Sequence, residues 1–183
     1  MSDARSILVL YGHPYPDRSR AGRALLAAVS DLPGVSVRSL YDLYPDFFID
    51  AEVEQAALVA ADVIVFQAPL IWYGLPPLMS LWIEKVLAKG WAYGSGRAVA
   101  GKRALWVTTT GGPKDSYAPG AMHGHPFDAF IPAIEQTARF CGMEWEKPLV
   151  VHGATRVSDG DLADSAELYR DRLVALSKRE VSE

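Results

Sequence analysis

Three short stretches hold most of the residues whose types and spacing suit a bound cofactor. The first, Ile7 to Gly22, reads ILVLYGHPYPDRSRAG: an apolar run empties into a glycine, a histidine and two prolines, then reaches Ser-Arg-Ala-Gly at the predicted first turn of a helix. A helix N-terminus presents unpaired N–H groups and a partial positive charge, so phosphate is its natural guest. Ser19 adds a hydroxyl, and the small Ala21 and Gly22 let a phosphate approach the backbone. Arg18 and Arg20 raise the local potential, and His13 can donate a further hydrogen bond. A capped helix beside an ordinary surface histidine would use the same residue types. No G-x-x-x-x-G-K-[ST] is present, so this is no P-loop, and the absence of G-x-G-x-x-G argues against a dinucleotide site.

The second stretch, PLIWYGLPP, sets Trp72 and Tyr73 among Pro69, Gly74, Pro76 and Pro77. Two aromatics on a braced loop can wall a flat ring, although aromatics also serve core and interface packing. The third stretch supplies Thr109, Thr110, Gly111 and Gly112. Their amides and hydroxyls suit the polar edge of a heterocycle, or else a tight turn that needs glycine. Taken together, a phosphate seat, a ring wall and a polar ring edge describe flavin mononucleotide (FMN). No metal is expected: His123 and His125 have no carboxylate or thiolate partner at ligand spacing. Cys141 and His152 read as structural.

These stretches need a scaffold that brings them to one place. Buried strands are expected at SILVLYG (6–12), DVIVFQA (62–68), KRALWVTTT (102–110) and PLVVHGA (148–154), with a less buried edge strand at VSVRSL (35–40). Helical periodicities fall between them. Ser19 is placed to cap a helix over 20–30 and Asp50 to cap AEVEQAALVAA. Pro76-Pro77 can open a helix that Gly90 closes, a further helix lies near 127–141, and a last one follows Ser158 with the stripe Leu162, Ala166, Tyr169, Leu173, Leu176. Strands alternating with helices imply a parallel sheet covered on both faces. The expected architecture is α/β, a flavodoxin-like doubly wound sheet of five strands in the order 2-1-3-4-5, forming one domain over residues 1–183. In such sheets ligands bind beyond the carboxyl ends of the strands, where the three stretches emerge.

Composition narrows the function. The net charge of −4 argues against a nucleic-acid partner, and a single cysteine fits a reducing compartment. The opening MSDARS carries no apolar export signal. The apolar run 56–83 holds Asp62 and three prolines, so no unbroken membrane span is expected. An acidic electron carrier of the flavodoxin kind is disfavoured by the mild charge and the long aromatic loops. The helix opened by Pro76 carries apolar residues at 78, 79, 81, 82, 83, 86 and 87, more than one face needs, which predicts a two-fold dimer with Trp82 as an anchor.

At this level of detail the chain resembles the flavodoxin-fold NAD(P)H:quinone oxidoreductases, the DT-diaphorase-like family. It is most similar to the ancillary flavoproteins of glutathione-gated potassium efflux systems in YGHPYPDRS, SLYDLYPDFFID, PLIWYGLPPLMSLWIEKV and GWAYG. The resemblance implies a cytoplasmic homodimer that carries hydride from NADH or NADPH through flavin to a quinone. It also implies a second role, as a regulatory subunit seated peripherally on a potassium efflux antiporter at the inner face of the membrane. By position it makes His13, Ser19, Arg20, Ala21 and Gly22 the phosphate and ribityl site, Leu70, Ile71, Trp72 and Tyr73 the second flavin loop, and Thr109, Thr110, Gly111 and Gly112 the ring edge. Tyr117 and His123 fall at the spacing of the catalytic pair in the larger quinone-reductase branch. That branch's C-terminal extension is missing, which points to FMN, with FAD as the alternative.

Overall fold

The unbroken burial of Ile7–Tyr11 (β1) and Val63–Gln67 (β3) marks the centre of a parallel sheet. The computed structural model describes residues 4–178. In the sheet β1 lies between β3 and Val35–Ser39 (β2), and β3 pairs on its other side with Arg103–Thr109 (β4), all in parallel. The order β2-β1-β3-β4-β5 is the one expected.

The fifth position differs in detail. It is shared by two short strands, Glu144–Trp145 (β5) and Leu149–Val151 (β6), which pair with opposite ends of β4. Pro148 lies between them; it lacks an N–H for the ladder and restricts Lys147, so the strand is interrupted there.

Alternation along the strands sorts the core into two halves. Ile7, Val9, Val63, Val65, Leu105 and Val107 face Leu25 of helix α1 (Arg20–Ala27) and, near the chain's end, Tyr169, Leu173 and Leu176 of a long helix over Asp159–Ser177. On the other side Leu8, Leu10, Ile64, Phe66 and Trp106 meet residues of α3 (Ala51–Ala60), α4 (Pro77–Val86) and α5 (Pro132–Phe140). The short α2 (Leu40–Leu43) follows β2, and the long C-terminal helix is α6. Asp50 caps α3 by accepting from Val53 N–H, and Ser158 caps α6 by accepting from Asp161 N–H, both as their side chains predict.

Three expectations are corrected. Helix α4 stops at Val86, because Leu87 leaves helical geometry; Gly90 belongs to the next turn, where its N–H donates to Tyr93 O. The helix near 127–141 is a 3-10 turn over Phe127–Phe130 followed by α5, with Pro132 setting the new start. Most consequential, Trp82 is wholly buried within the chain and cannot anchor a partner. Its indole N–H donates to Glu54 Oε2 at 2.9 Å, while Glu54 Oε1 accepts from Tyr44 Oη and Arg38 Nε. A fully buried carboxylate is tolerable only with such a set of partners. Among the described residues no helix is long and apolar enough to cross a membrane.

Candidate functional site

The loops after β1, β3, β4 and β6 converge at the carboxyl end of the sheet. The first turns sharply. His13 Nδ1 accepts from Tyr15 N–H at 3.0 Å, a 3-10 turn covers Pro16–Arg18, and Ser19 N–H donates to Pro16 O before α1 begins. Because His13 Nδ1 accepts, the neutral ring carries its proton on Nε2 and keeps one donor for a ligand. Burial holds this imidazole below its ordinary pKa, which favours that neutral form.

The first α1 amide to find a carbonyl is that of Arg23, on Ser19 O, so the amides of Arg20, Ala21 and Gly22 are the free end of the helix. Ser19 is buried but its hydroxyl caps nothing in α1. It packs over Gly22, where a Cβ would lie 2.3 Å from Ser19 Oγ and 3.2 Å from Tyr11 Oη. A Cβ there would displace the Ser19 hydroxyl. A cavity of about 250 Å³ opens here, lined by His13, Ser19, Ala21, Gly22, Thr109 and Thr155 among others. The guanidinium of Arg20 turns away, donating to Val157 O and pairing with Asp159, so what Arg20 offers the cavity is its backbone. Arg18 stacks over Tyr15 instead.

The second loop is a two-residue reversal. Ile71 and Gly74 exchange N–H···O bonds of 3.0 Å in both directions, and Leu70 N–H ties the loop to Thr109 O. Trp72 and Tyr73 form the tip with φ of 48° and 64°, the left-handed region that non-glycine residues avoid. This conformation leaves Trp72 91% exposed. Tyr73 stacks on Phe130 and meets His123 edge-on, with its hydroxyl 3.4 Å from His123 Nδ1.

The third loop holds Thr109, Thr110, Gly111 and Gly112 and then folds back. A Cβ at Gly112 would lie 2.6 Å from both His123 Nε2 and Ser116 Oγ, so a side chain there would push these groups aside. Tyr117 is buried and stacks on His123, with ring centres 4.1 Å apart and planes within 16°. The predicted pair is therefore in direct contact, and through Tyr73 it touches the second loop. Among the described residues His123 Nε2 is buried and has no hydrogen-bond partner.

The loop after β6 was not among the three stretches. Ala154 and Thr155 join the cavity at the start of α1, and Ala154 N–H donates to Thr110 O at 2.8 Å. The sequence signal was available: a strand ending in a run of small residues and threonine, at the same end of the sheet as the other loops.

Comparison with known proteins agrees with this fold. A family model described as flavodoxin-like fold matches residues 5–173. The glutathione-regulated potassium-efflux system ancillary protein KefF of Klebsiella pneumoniae (strain 342) is 46% identical over 169 residues, 92% of this chain and 94% of that protein. General stress protein 14 of Treponema denticola, solved in complex with FMN, superposes with a TM-score of 0.86 at 30% identity, covering 94% of this chain and 99% of that one. A candidate quinone reductase from Klebsiella pneumoniae gives 0.80 at 25% identity, covering 95% and 86%.

Proposed function

Because the chain belongs to the flavodoxin-like fold family, we propose that it is an FMN-dependent NAD(P)H:quinone oxidoreductase. The observation that carries this reading is the meeting of a helix-end cavity beside Gly22 with the polar Thr109–Gly112 edge and the Tyr73–His123–Tyr117 ring cluster. Bound FMN would supply two-electron chemistry, taking hydride from a nicotinamide and delivering it to a quinone. The chain's own residues would do the rest.

Ser19, His13 Nε2–H and the amides of Arg20, Ala21 and Gly22 would hold the phosphate, with the helix end contributing its partial positive charge. Leu70, Ile71, Trp72 and Tyr73 would border one side of the ring, and Thr109, Thr110, Gly111 and Gly112 its polar edge. Tyr117 and His123 would donate where negative charge gathers, as fixed donors in a site that excludes water. FMN is favoured over FAD because general stress protein 14, 30% identical and superposing over 94% of this chain, was solved with FMN. The test is direct: release the cofactor from purified protein by heat, identify it, and follow NADH and NADPH oxidation with a benzoquinone. Protein that purifies without flavin and shows no turnover after FMN addition defeats the reading.

A homodimer is part of the proposal. A groove of about 400 Å³ between α4 and α5, lined by Ile83, Leu87, Tyr93 and Phe140, adjoins the wall made by Tyr73 and Phe130. A second copy seated there would cover the exposed rings of Tyr73 and Phe140. The identity with KefF supports a second role, as the cytoplasmic ancillary subunit of a potassium efflux antiporter docked at the inner membrane face. That role coexists with catalysis, and co-purification with an antiporter decides it.

A further inference from the structure

We propose that His152 is a positioning residue that sets the conformation of the Thr110–Gly112 loop, acting through Thr110 rather than on a substrate. The inference builds on the flavin reading of that loop.

The hydrogen-bond chain is closed and directional. Thr110 Oγ1 lies 2.8 Å from Gly112 O and 3.0 Å from His152 Nδ1. Two oxygens at 2.8 Å attract only if the hydroxyl proton lies between them, so Thr110 donates to Gly112 O. Its remaining lone pairs must then accept, and His152 must carry its proton on Nδ1. Gly112 O also accepts from Gly153 N–H at 2.9 Å, and Ala154 N–H donates to Thr110 O at 2.8 Å. The segment 152–154 thus holds both ends of Thr110–Gly112, with three hydrogen bonds converging from one side.

The imidazole is itself fixed. Phe127 meets it edge-on at 5.3 Å between ring centres, and Tyr117 lies against it at 5.5 Å. Burial, with a smaller contribution from the charge on Lys114, lowers its pKa and keeps it neutral. His152 therefore touches both parts of the third loop, the turn at Thr110 and the ring of Tyr117. A metal or proton-transfer role is not needed to account for a histidine here: a single fixed donor is what the turn uses.

The test compares His152→Leu, which removes the donor, with His152→Asn, whose amide can donate from about the Nδ1 position, and His152→Gln, whose amide reaches about the Nε2 position. In the apoprotein, imidazole nitrogen NMR should show the Nδ1–H tautomer, and amide exchange at Gly153 and Ala154 should quicken roughly tenfold in the Leu variant. FMN should bind roughly fivefold more weakly to the Leu and Gln variants, the worth of one neutral hydrogen bond, with the Asn variant close to the parent. An Nε2–H tautomer, parent-like exchange in the Leu variant, or an Asn variant as impaired as the Leu one each overturns the proposal. Should the parent itself bind no FMN, the flavin reading fails, while the tautomer and exchange results still judge the role of His152.

Discussion

Gln67 Nε2 donates to the carbonyl of Gly22 at 2.9 Å, and its own carbonyl accepts from Tyr169 Oη at 3.2 Å. Three elements meet at this one carboxamide: the end of β3, the first turn of α1 and the middle of α6. The position of the first turn of α1 therefore depends on a buried residue of the central strand.

Replacing Gln67 with Met keeps the volume but leaves the buried Tyr169 hydroxyl without its acceptor. Urea unfolding should register a loss of about 2 kcal/mol, the usual cost of an orphaned buried polar group. Tyr169→Phe in the Gln67→Met background should recover much of it. No recovery would mean that the phenol is satisfied in another way.

Gly22→Ala separates folding from binding. Alanine is the better helix former by about 1 kcal/mol, yet its Cβ would push the Ser19 hydroxyl from the cavity. Thermal stability of the apoprotein should hold or rise while FMN affinity falls by at least tenfold, on the order of one hydrogen bond to a charged group. Ser19→Ala should show a similar loss. Fluorescence titration of FMN reads both, and unchanged affinity in the pair would place the phosphate elsewhere.

The stacked pair of Tyr117 and His123 should matter to rate, not retention. Tyr117→Phe and His123→Gln are each expected to slow flavin reduction about tenfold or more, as for lost acid–base groups, with FMN binding retained. Stopped-flow traces matching the parent would remove both residues from the chemistry.

Acid should destabilise the fold through two histidines. Burial holds His13 and His152 below the ordinary imidazole value. Their folded pKa values are depressed, so the unfolded chain binds more protons as pH drops below about 6.5. The stability they contribute is complete above that pH and declines below it. The melting temperature should fall between pH 7.5 and 5.5, and less so in His13→Gln. An equal fall in that variant would clear His13 of the effect.

Trp82→Ala should unfold the chain more readily by about 3 kcal/mol or more, through a core cavity and the loss of a donor to buried Glu54. Denaturant melts at two protein concentrations separate this from weakened association, because a loss confined to an interface grows on dilution.

Trp82 also marks the limit of reading this sequence. Its spacing in an apolar helix looked like an excess for one face, but only Leu78, Met79, Trp82 and Val86 are buried, on a single face. The acceptor that draws Trp82 inward is Glu54, and a glutamate in a helix ordinarily reads as solvated. Nothing local announces a carboxylate whose partners come from β2, the end of α2 and α4. Strand order and the first three loops were legible because burial periodicity and turn residues are local signals. The contributions of Thr155, Ala154 and His152 depend on which loop lands beside which, and that is settled by the sheet. The break at Pro148 was visible in composition, although pairing on both sides of it was not.

The turn at Trp72 and Tyr73 has a consequence for anyone improving this protein. A two-residue reversal of this kind is most comfortable as Asn-Gly, and each bulky residue there forgoes about 1–2 kcal/mol. A library screened only for heat tolerance should therefore enrich Asn and Gly at these two positions. Its winners would outlast the parent in a melting assay while losing the aromatic wall. On the proposed flavin reading, the most durable sequence at Trp72 and Tyr73 would not be the working one.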